Sequence, residues 1–292
     1  MKGMWSCCQL MSKEHANVDA GKPAASKRGS DTQFLYLESL ASQLTGWSDP
    51  QERVARALRD DEFILYRQNI IPLMAKSGER PFLEILVRLQ EEEKNLTPPG
   101  AFIPIMEYYN LMPALDRWIV DHVIAWCASR RPETQTLCSV NLANSVLADV
   151  EFADFVRERL AARKLSPRLL CFEVSESDAL TKAGARFVTK VKAMGCLFAI
   201  GSFGRGGVAF DSLRKATADF IKIDGSIVRE IVRDRVAAAK VQAIARVCAQ
   251  KGIPTVAESV ETPEILNRLR EIGVSYVQGF GISRPGPLSE VA

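Results

Sequence analysis

The chain has 292 residues, 47% hydrophobic and 25% charged, an ordinary balance for a globular protein with material for a sizeable core. Its formal charge of +3 resides in residues 1–30, where Lys2, Lys13, Lys22, Lys27 and Arg28 stand against Glu14 and Asp19. The remainder is neutral, which argues against a nucleic-acid polymer as partner. No apolar run reaches the roughly 18 residues of a membrane span, and seven cysteines, dispersed except for Cys7-Cys8, argue against a disulfide framework or a zinc site.

Residues 1 to 32 are rich in Lys, Ser, Ala and Gly, as in a disordered leader, and the opening MKGMWSCCQLMSK lacks the apolar stretch of a secretory signal. Two adjacent cysteines there are weak grounds for lipidation. Phe34, Leu37, Leu40 and Leu44 recur at helical spacing and predict a short amphipathic helix over 33–45, read as a cap on the domain or, second, as a docking point for a partner segment. The expected division is a leader over 1–47 and one globular domain over 48–292. Ser48, Asp49 and Pro50, with Glu52 in the first turn, predict the start of a helix that runs to Arg59.

From Glu62 onward short apolar, β-branched runs alternate with segments of helical period. Strands are predicted at 62–70, 81–89, 136–143, 168–174, 196–201, 219–224, 253–258 and 275–279, and helices at 112–130, 150–163, 178–194, 206–216, 233–251 and 262–272. Such alternation implies βαβ units, in either a (β/α)8 barrel or an open doubly wound sheet. Asn141, Glu173, Asp224 and Glu258 all fall at C-terminal strand ends, where barrels place their active sites, so the barrel is preferred. Cys138, Cys171, Cys196 and Cys248 sit among apolar residues and read as buried free thiols of a reducing, cytoplasmic environment.

The strand ends carry a connected set of polar residues: Glu84 in PFLEILVRL, Asn141 in SVNLA, Glu173 and Glu176 in CFEVSESDAL, Lys222 and Asp224 in FIKID, Glu258 and Glu261 in VAESVE, and Gln278 in YVQGF. In order and type they resemble the EAL family of cyclic di-GMP phosphodiesterases, over about Asp60 to Pro285. The resemblance implies a modified TIM (β/α)8 barrel with one antiparallel strand. It also implies that Glu84, Asn141 and Glu173 match ligands of one metal, Glu258 a ligand on the other side, and Lys222 the lysine near the attacking water. Cleavage of a phosphodiester by two metals needs several hard oxygen donors converging on ions roughly 3.5–4 Å apart.

The departure lies at Gly201-Ser202, where the family carries an Asp-Asp pair, and the loop reads GSFGRGGVAF in place of DDFGTGYSSL. A glycine and one neutral hydroxyl replace two carboxylates, so no functional metal pair is expected, and Lys222 is expected to lose its nearest counter-charges. Glu84, Lys222 and Glu258 then become vestigial. Glu176 matches the glutamate that anchors the loop, and Arg205, where Thr is common, reads equally as a solvated residue or a ligand group.

For the nucleotide, Arg88 matches a phosphate-binding arginine beside Leu86. Asp116 and Glu261 match acceptors for guanine, and Gln68, Gln278 and Pro285 complete the family's pocket wall. Ile85 replaces Ala, and Arg67-Gln68-Asn69 replaces Tyr-Gln-Pro. The preferred reading is a catalytically inactive receptor or adaptor for cyclic di-GMP. The alternative is a protein-interaction module that no longer binds the nucleotide, and the third reading is a residual phosphodiesterase. The family's habit also makes a homodimer an expectation.

Overall fold

The computed structural model describes residues 47–74, 81–90, 96–206 and 217–291. The leader, Cys7-Cys8, the helix expected over 33–45 and most of that expected over 206–216 lie outside the described residues. Two compact units emerge. Of the described residues, the smaller comprises 47–64, 87–90 and 96–115; the larger comprises 65–74, 81–86, 116–206 and 217–291.

In the smaller unit, helix α1 (Pro50–Arg59) begins where the sequence places it. Asp49 accepts from the Glu52 amide at 3.0 Å and Pro50 occupies the first turn, where its missing N–H costs nothing. Helix α2 (Pro99–Tyr108) and the two-residue strand β3 (Leu96–Thr97) were not expected. Pro98, Pro99, Gly100 and Pro104 read as helix breakers, yet Pro99 stands at the helix start and Phe102 buries its ring against Phe63, centroids 5.4 Å apart. Strand β3 pairs with the end of β2 (Phe82–Gln90) at Leu89↔Thr97.

The larger unit is the barrel. Its strands are β1 (Phe63–Pro72) and β2 through the parts that fall here, then β4 (Cys138–Asn141), β5 (Leu170–Ser175), β6 (Leu197–Phe203), β7 (Phe220–Ile223), β8 (Thr255–Ala257) and β9 (Tyr276–Val277). They run in the order β1-β9-β8-β7-β6-β5-β4-β2, and pairing of β1 with β2 closes the ring. Neighbours from β2 to β9 are parallel, whereas β1 is antiparallel to β9 at Ile71↔Val277, giving the single reversed barrel strand that the resemblance implies. A closing strand β10 (Gly286–Pro287) lies antiparallel on β1.

The crossover helices are α3 (Met112–Ser129), α4 (Asn144–Leu147), α5 (Phe152–Ala162), α6 (Glu176–Ala179), α7 (Lys182–Ala193), α8 (Gly225–Val228), α9 (Arg235–Gln250) and α10 (Pro263–Ile272). The single helix expected over 178–194 is thus two. Ser175 caps α6, and Thr181 caps α7 by accepting from the Gly184 amide at 2.9 Å. Gly184 lies so close to the Asp178 carbonyl that any Cβ would overlap it. The short α4 and α8, next to strand ends, also escaped the periodicity. Cys127, Cys138, Cys171, Cys196 and Cys248 are free and buried.

The barrel interior is built in two layers, because side chains two apart on a strand share a face. The lower layer is apolar: Ile70, Phe82, Cys171, Ala199, Phe220, Val256 and Tyr276, with Leu137 and Leu197 packed against it. Three of its rings meet at 5.0 Å (Phe82–Phe220), 5.4 Å (Phe82–Tyr276) and 5.9 Å (Phe220–Tyr276). Two positions away toward one end of the barrel stand Glu84, Glu173, Gly201, Lys222, Glu258 and Gln278, the last two just past β8 and β9, with Gln68 two before Ile70 on the reversed β1.

Candidate functional site

Lys222 is the centre of the polar layer. It is 1% exposed, and its Nζ lies 2.8 Å from Glu173 Oε2, 3.1 Å from Glu258 Oε1 and 3.4 Å from Glu84 Oε2. These carboxylates come from β5, the end of β8 and β2, so closure of the barrel is what makes them converge. Lys222 thus keeps three carboxyl partners although the pair expected at 201 and 202 is absent. Gly201 offers the reason: a Cβ there would overlap Glu173 Oε1 and lie 3.1 Å from its Cδ and Cγ, so the absence of a side chain leaves room for that carboxylate.

Neutral donors complete the network. Asn141 Nδ2 donates to Glu84 Oε1 at 2.6 Å, Ser139 Oγ donates to Glu173 Oε2 at 3.4 Å, and Gln278 Nε2 donates both to Glu84 Oε2 and, at 2.9 Å, to Gln68 Oε1. Gln68 Nε2 donates in turn to the Ser283 carbonyl at 2.8 Å. Gln278 Oε1, also buried, accepts no hydrogen bond among the described residues. Ser139 and Ser283 escaped sequence reasoning; Ser139 carried a signal, since it stands two before Asn141 and faces inward with it.

Three carboxyl groups crowd one buried ammonium, more acid than a single cation neutralises unless protons are retained. Burial alone would raise Glu84, but Lys222 and the hydrogen bonds from Gln278 and Asn141 outweigh it and hold this carboxyl below its ordinary range. Burial pushes Glu173 up to about 8 in spite of Lys222, and shifts Glu258 upward as well. Lys222 pays for desolvation, yet its three partners hold it well above the ordinary lysine value.

At the end of β6 the backbone bulges between Ile200 and Phe203, and Ser202 takes a left-handed conformation at φ 51°. Glu176, at the start of α6, is half-buried, and burial shifts its carboxyl upward. Arg205 reaches across to Asp224 at the neighbouring strand end, Nε at 2.8 Å and Nη2 at 2.7 Å from Oδ2.

The remaining expected residues are spread more widely. Glu261 is exposed and Pro285 half-buried. Asp116 is 1% exposed; its Oδ2 accepts from the Ala143 amide at 2.9 Å, and burial pushes its carboxyl up to about 7. On β2, Leu86 is half-buried, and Arg88 is buried with Nη1 donating to the Val87 carbonyl at 2.8 Å. Among the described residues no group of three or more His, Cys, Asp or Glu side chains is arranged to hold a metal ion, and no helix is long and apolar enough to cross a membrane.

Residues 51–285 match the family described as EAL domain. Cyclic di-GMP phosphodiesterase PdeB of Shewanella oneidensis is 33% identical over 240 residues, 81% of this chain and 28% of that protein. Cyclic di-GMP phosphodiesterase PdeF of Escherichia coli is 31% identical over 239 residues, 81% of this chain and 32% of that protein, so the chain spans under a third of either relative. Among solved structures, the PaMucR phosphodiesterase in complex with c-di-GMP superposes with a TM-score of 0.76 at 28% identity, over 83% of this chain and 99% of that one. The FimX EAL domain from Pseudomonas aeruginosa bound to c-di-GMP gives 0.75 at 27% identity, over 82% and 97%.

Proposed function

The chain belongs to the EAL domain family, and from that premise we propose that its barrel is a receptor for cyclic di-GMP that works without metals and does not hydrolyse it. The observation that carries this reading is the ion-pair cluster: Lys222 engages Glu84, Glu173 and Glu258, the very carboxylates that would otherwise face divalent ions. Gly201 and Ser202 add no carboxylate, and a neutral hydroxyl is a poor ligand for a hard cation. Seating two ions would require pulling three carboxylates off a buried ammonium with too few oxygens to compensate. The residues present do not fit a metal pair.

Binding is a separate matter from turnover. Two solved EAL domains that resemble this chain, those of PaMucR and FimX, are bound to c-di-GMP, and Arg88, Gln278 and Glu261 retain the residue types the family uses toward it. Gln278 Oε1, a buried acceptor without a donor, suits a ligand N–H. A second reading, an interaction module without nucleotide, is favoured by Asp116, whose carboxylate is enclosed and bonded to Ala143 in place of facing a guanine. A cytoplasmic location and pairing with a second copy accompany the first reading.

Calorimetric titration with cyclic di-GMP, in magnesium and in EDTA, tests the proposal together with a hydrolysis assay in magnesium and manganese. Binding of equal strength in both buffers, with no product, is expected. Turnover abolished by Glu84→Ala would establish a phosphodiesterase instead, and no binding at high micromolar ligand would leave the interaction module.

A further inference from the structure

Arg205 is the one residue of the β6 end whose charge moves opposite to the loss at Gly201 and Ser202. Where the EAL pattern has two carboxylates followed by a neutral Thr, this chain has two neutral residues followed by a guanidinium. The strand end changes from two negative charges to one positive.

The arginine is held firmly. Nε donates to Asp224 Oδ2 at 2.8 Å, Nη2 lies 2.7 Å from the same oxygen, and Asp224 is 1% exposed. The other oxygen of Asp224 accepts from the Ser226 amide at 2.8 Å and from Ser226 Oγ, fixing the carboxylate as the cap of α8. Arg205 itself follows a turn in which Ser202 and Gly204 are both left-handed, and its guanidinium is anchored through its head group. More than a quarter of the side chain, 27%, still faces solvent.

The position is as telling as the anchoring. Phe203 and Ile223 are paired in the parallel register of β6 and β7, so Arg205 and Asp224 both emerge at the rim on which Lys222 and Glu258 stand. A phosphodiester approaching that rim meets the carboxyl groups of Glu84, Glu173 and Glu258 around a single ammonium. In a metal-dependent site the divalent ions would screen them. Here a planar, permanently charged donor, the side chain best suited to a phosphate, stands at the strand end that has lost its ion-binding pair.

We propose that Arg205, braced by Asp224, is the phosphate-anchoring cation of this barrel and takes over the charge that divalent ions would bring, making nucleotide binding independent of metal. This rests on the receptor reading. The arrangement also removes Asp224 as an oxygen donor, so the same pair that favours a phosphate disfavours an ion.

Titration of cyclic di-GMP in EDTA into the parent protein, Arg205→Thr and Arg205→Lys, with thermal unfolding of each, tests this. The parent should bind, Arg205→Thr should bind at least tenfold more weakly with a shallower dependence on salt, and Arg205→Lys, which keeps the charge and the ion pair but not the fork, should fall between. Should Arg205→Thr unfold, the Arg205→Lys comparison decides, a loss of threefold or more being expected. Parent binding with both variants within twofold of it overturns the role of Arg205 and leaves the receptor reading standing. A parent that does not bind overturns both.

Discussion

Gly201 and Glu173 compete for one volume: a Cβ on Gly201 would overlap Glu173 Oε1, while Oε2 of the same carboxylate holds Lys222 at 2.8 Å. Gly201→Ala should therefore overpack the site and cost about 1–3 kcal/mol in urea unfolding. In a Glu173→Ala background most of that cost should vanish, giving a coupling of at least about 0.5 kcal/mol. Additive costs would show that the two positions do not compete. The same clash bears on Gly201→Asp with Ser202→Asp, which must displace Glu173 before any metal can be gained.

Lys222→Met strips the cation from three inward carboxylates, and breaking a buried pair in this way costs about 3–5 kcal/mol. The loss should be greater at pH 8 than at pH 5, because carboxylates without their ammonium take up protons more readily and acid relieves their repulsion. Unfolding at both pH values measures it, and an equal loss would contradict the charge cluster as its cause.

Asp116 gives the barrel a pH dependence of its own. Its folded carboxyl titrates at about 7 against an ordinary 3.8, because burial penalises the charged form. Between those values the folded state holds a proton that the unfolded state has released, so this contribution is whole below 3.8 and is lost as pH rises through about 7. Asp116→Asn, which keeps an acceptor for the Ala143 amide, should flatten the profile and stabilise the protein at pH 8 by up to about 4 kcal/mol, at about 1.4 kcal/mol per unit. A profile unchanged by the substitution would remove Asp116 as its source.

Arg88 and Glu84 should separate the two ways of binding a phosphodiester. With no metal, Arg88→Ala should weaken cyclic di-GMP about ten- to a hundredfold, the loss of a charge-assisted contact. Glu84→Gln, which preserves acceptance from Asn141 and removes a negative charge, should leave affinity unchanged or improve it. The reverse order in titration calorimetry would mean that a metal bridges protein and ligand.

The strand ends were legible in the sequence because β-branched runs and two-residue alternation survive folding unchanged, and Asp49, Asp234 and Thr262 cap their helices as their residue types suggest. Helix α2 was hidden because prolines carry opposite meanings at the start and in the middle of a helix. Motif matching named Glu84, Glu173, Lys222 and Glu258, but not that one ammonium would hold all three carboxylates. That depends on register and rotamer, and on the missing Cβ of a glycine a strand away. The Arg205–Asp224 pair was similarly unreadable, since nineteen residues and a strand crossing separate its members.

Beneath Lys222, two residues down β7, Phe220 joins Phe82 and Tyr276 in a floor of rings. Such a floor is an insulator on one side of a charged cluster. Field that cannot spread downward into water is directed out through the mouth, where each charge counts for more than it would on an open surface. A change at residue 201, 202 or 205 thus alters the electrical face of the whole cup, while the rings that hold the staves together are left untouched. One foundation can in this way carry an enzyme, a sensor or a docking platform, with the difference written in a few residues along its lip.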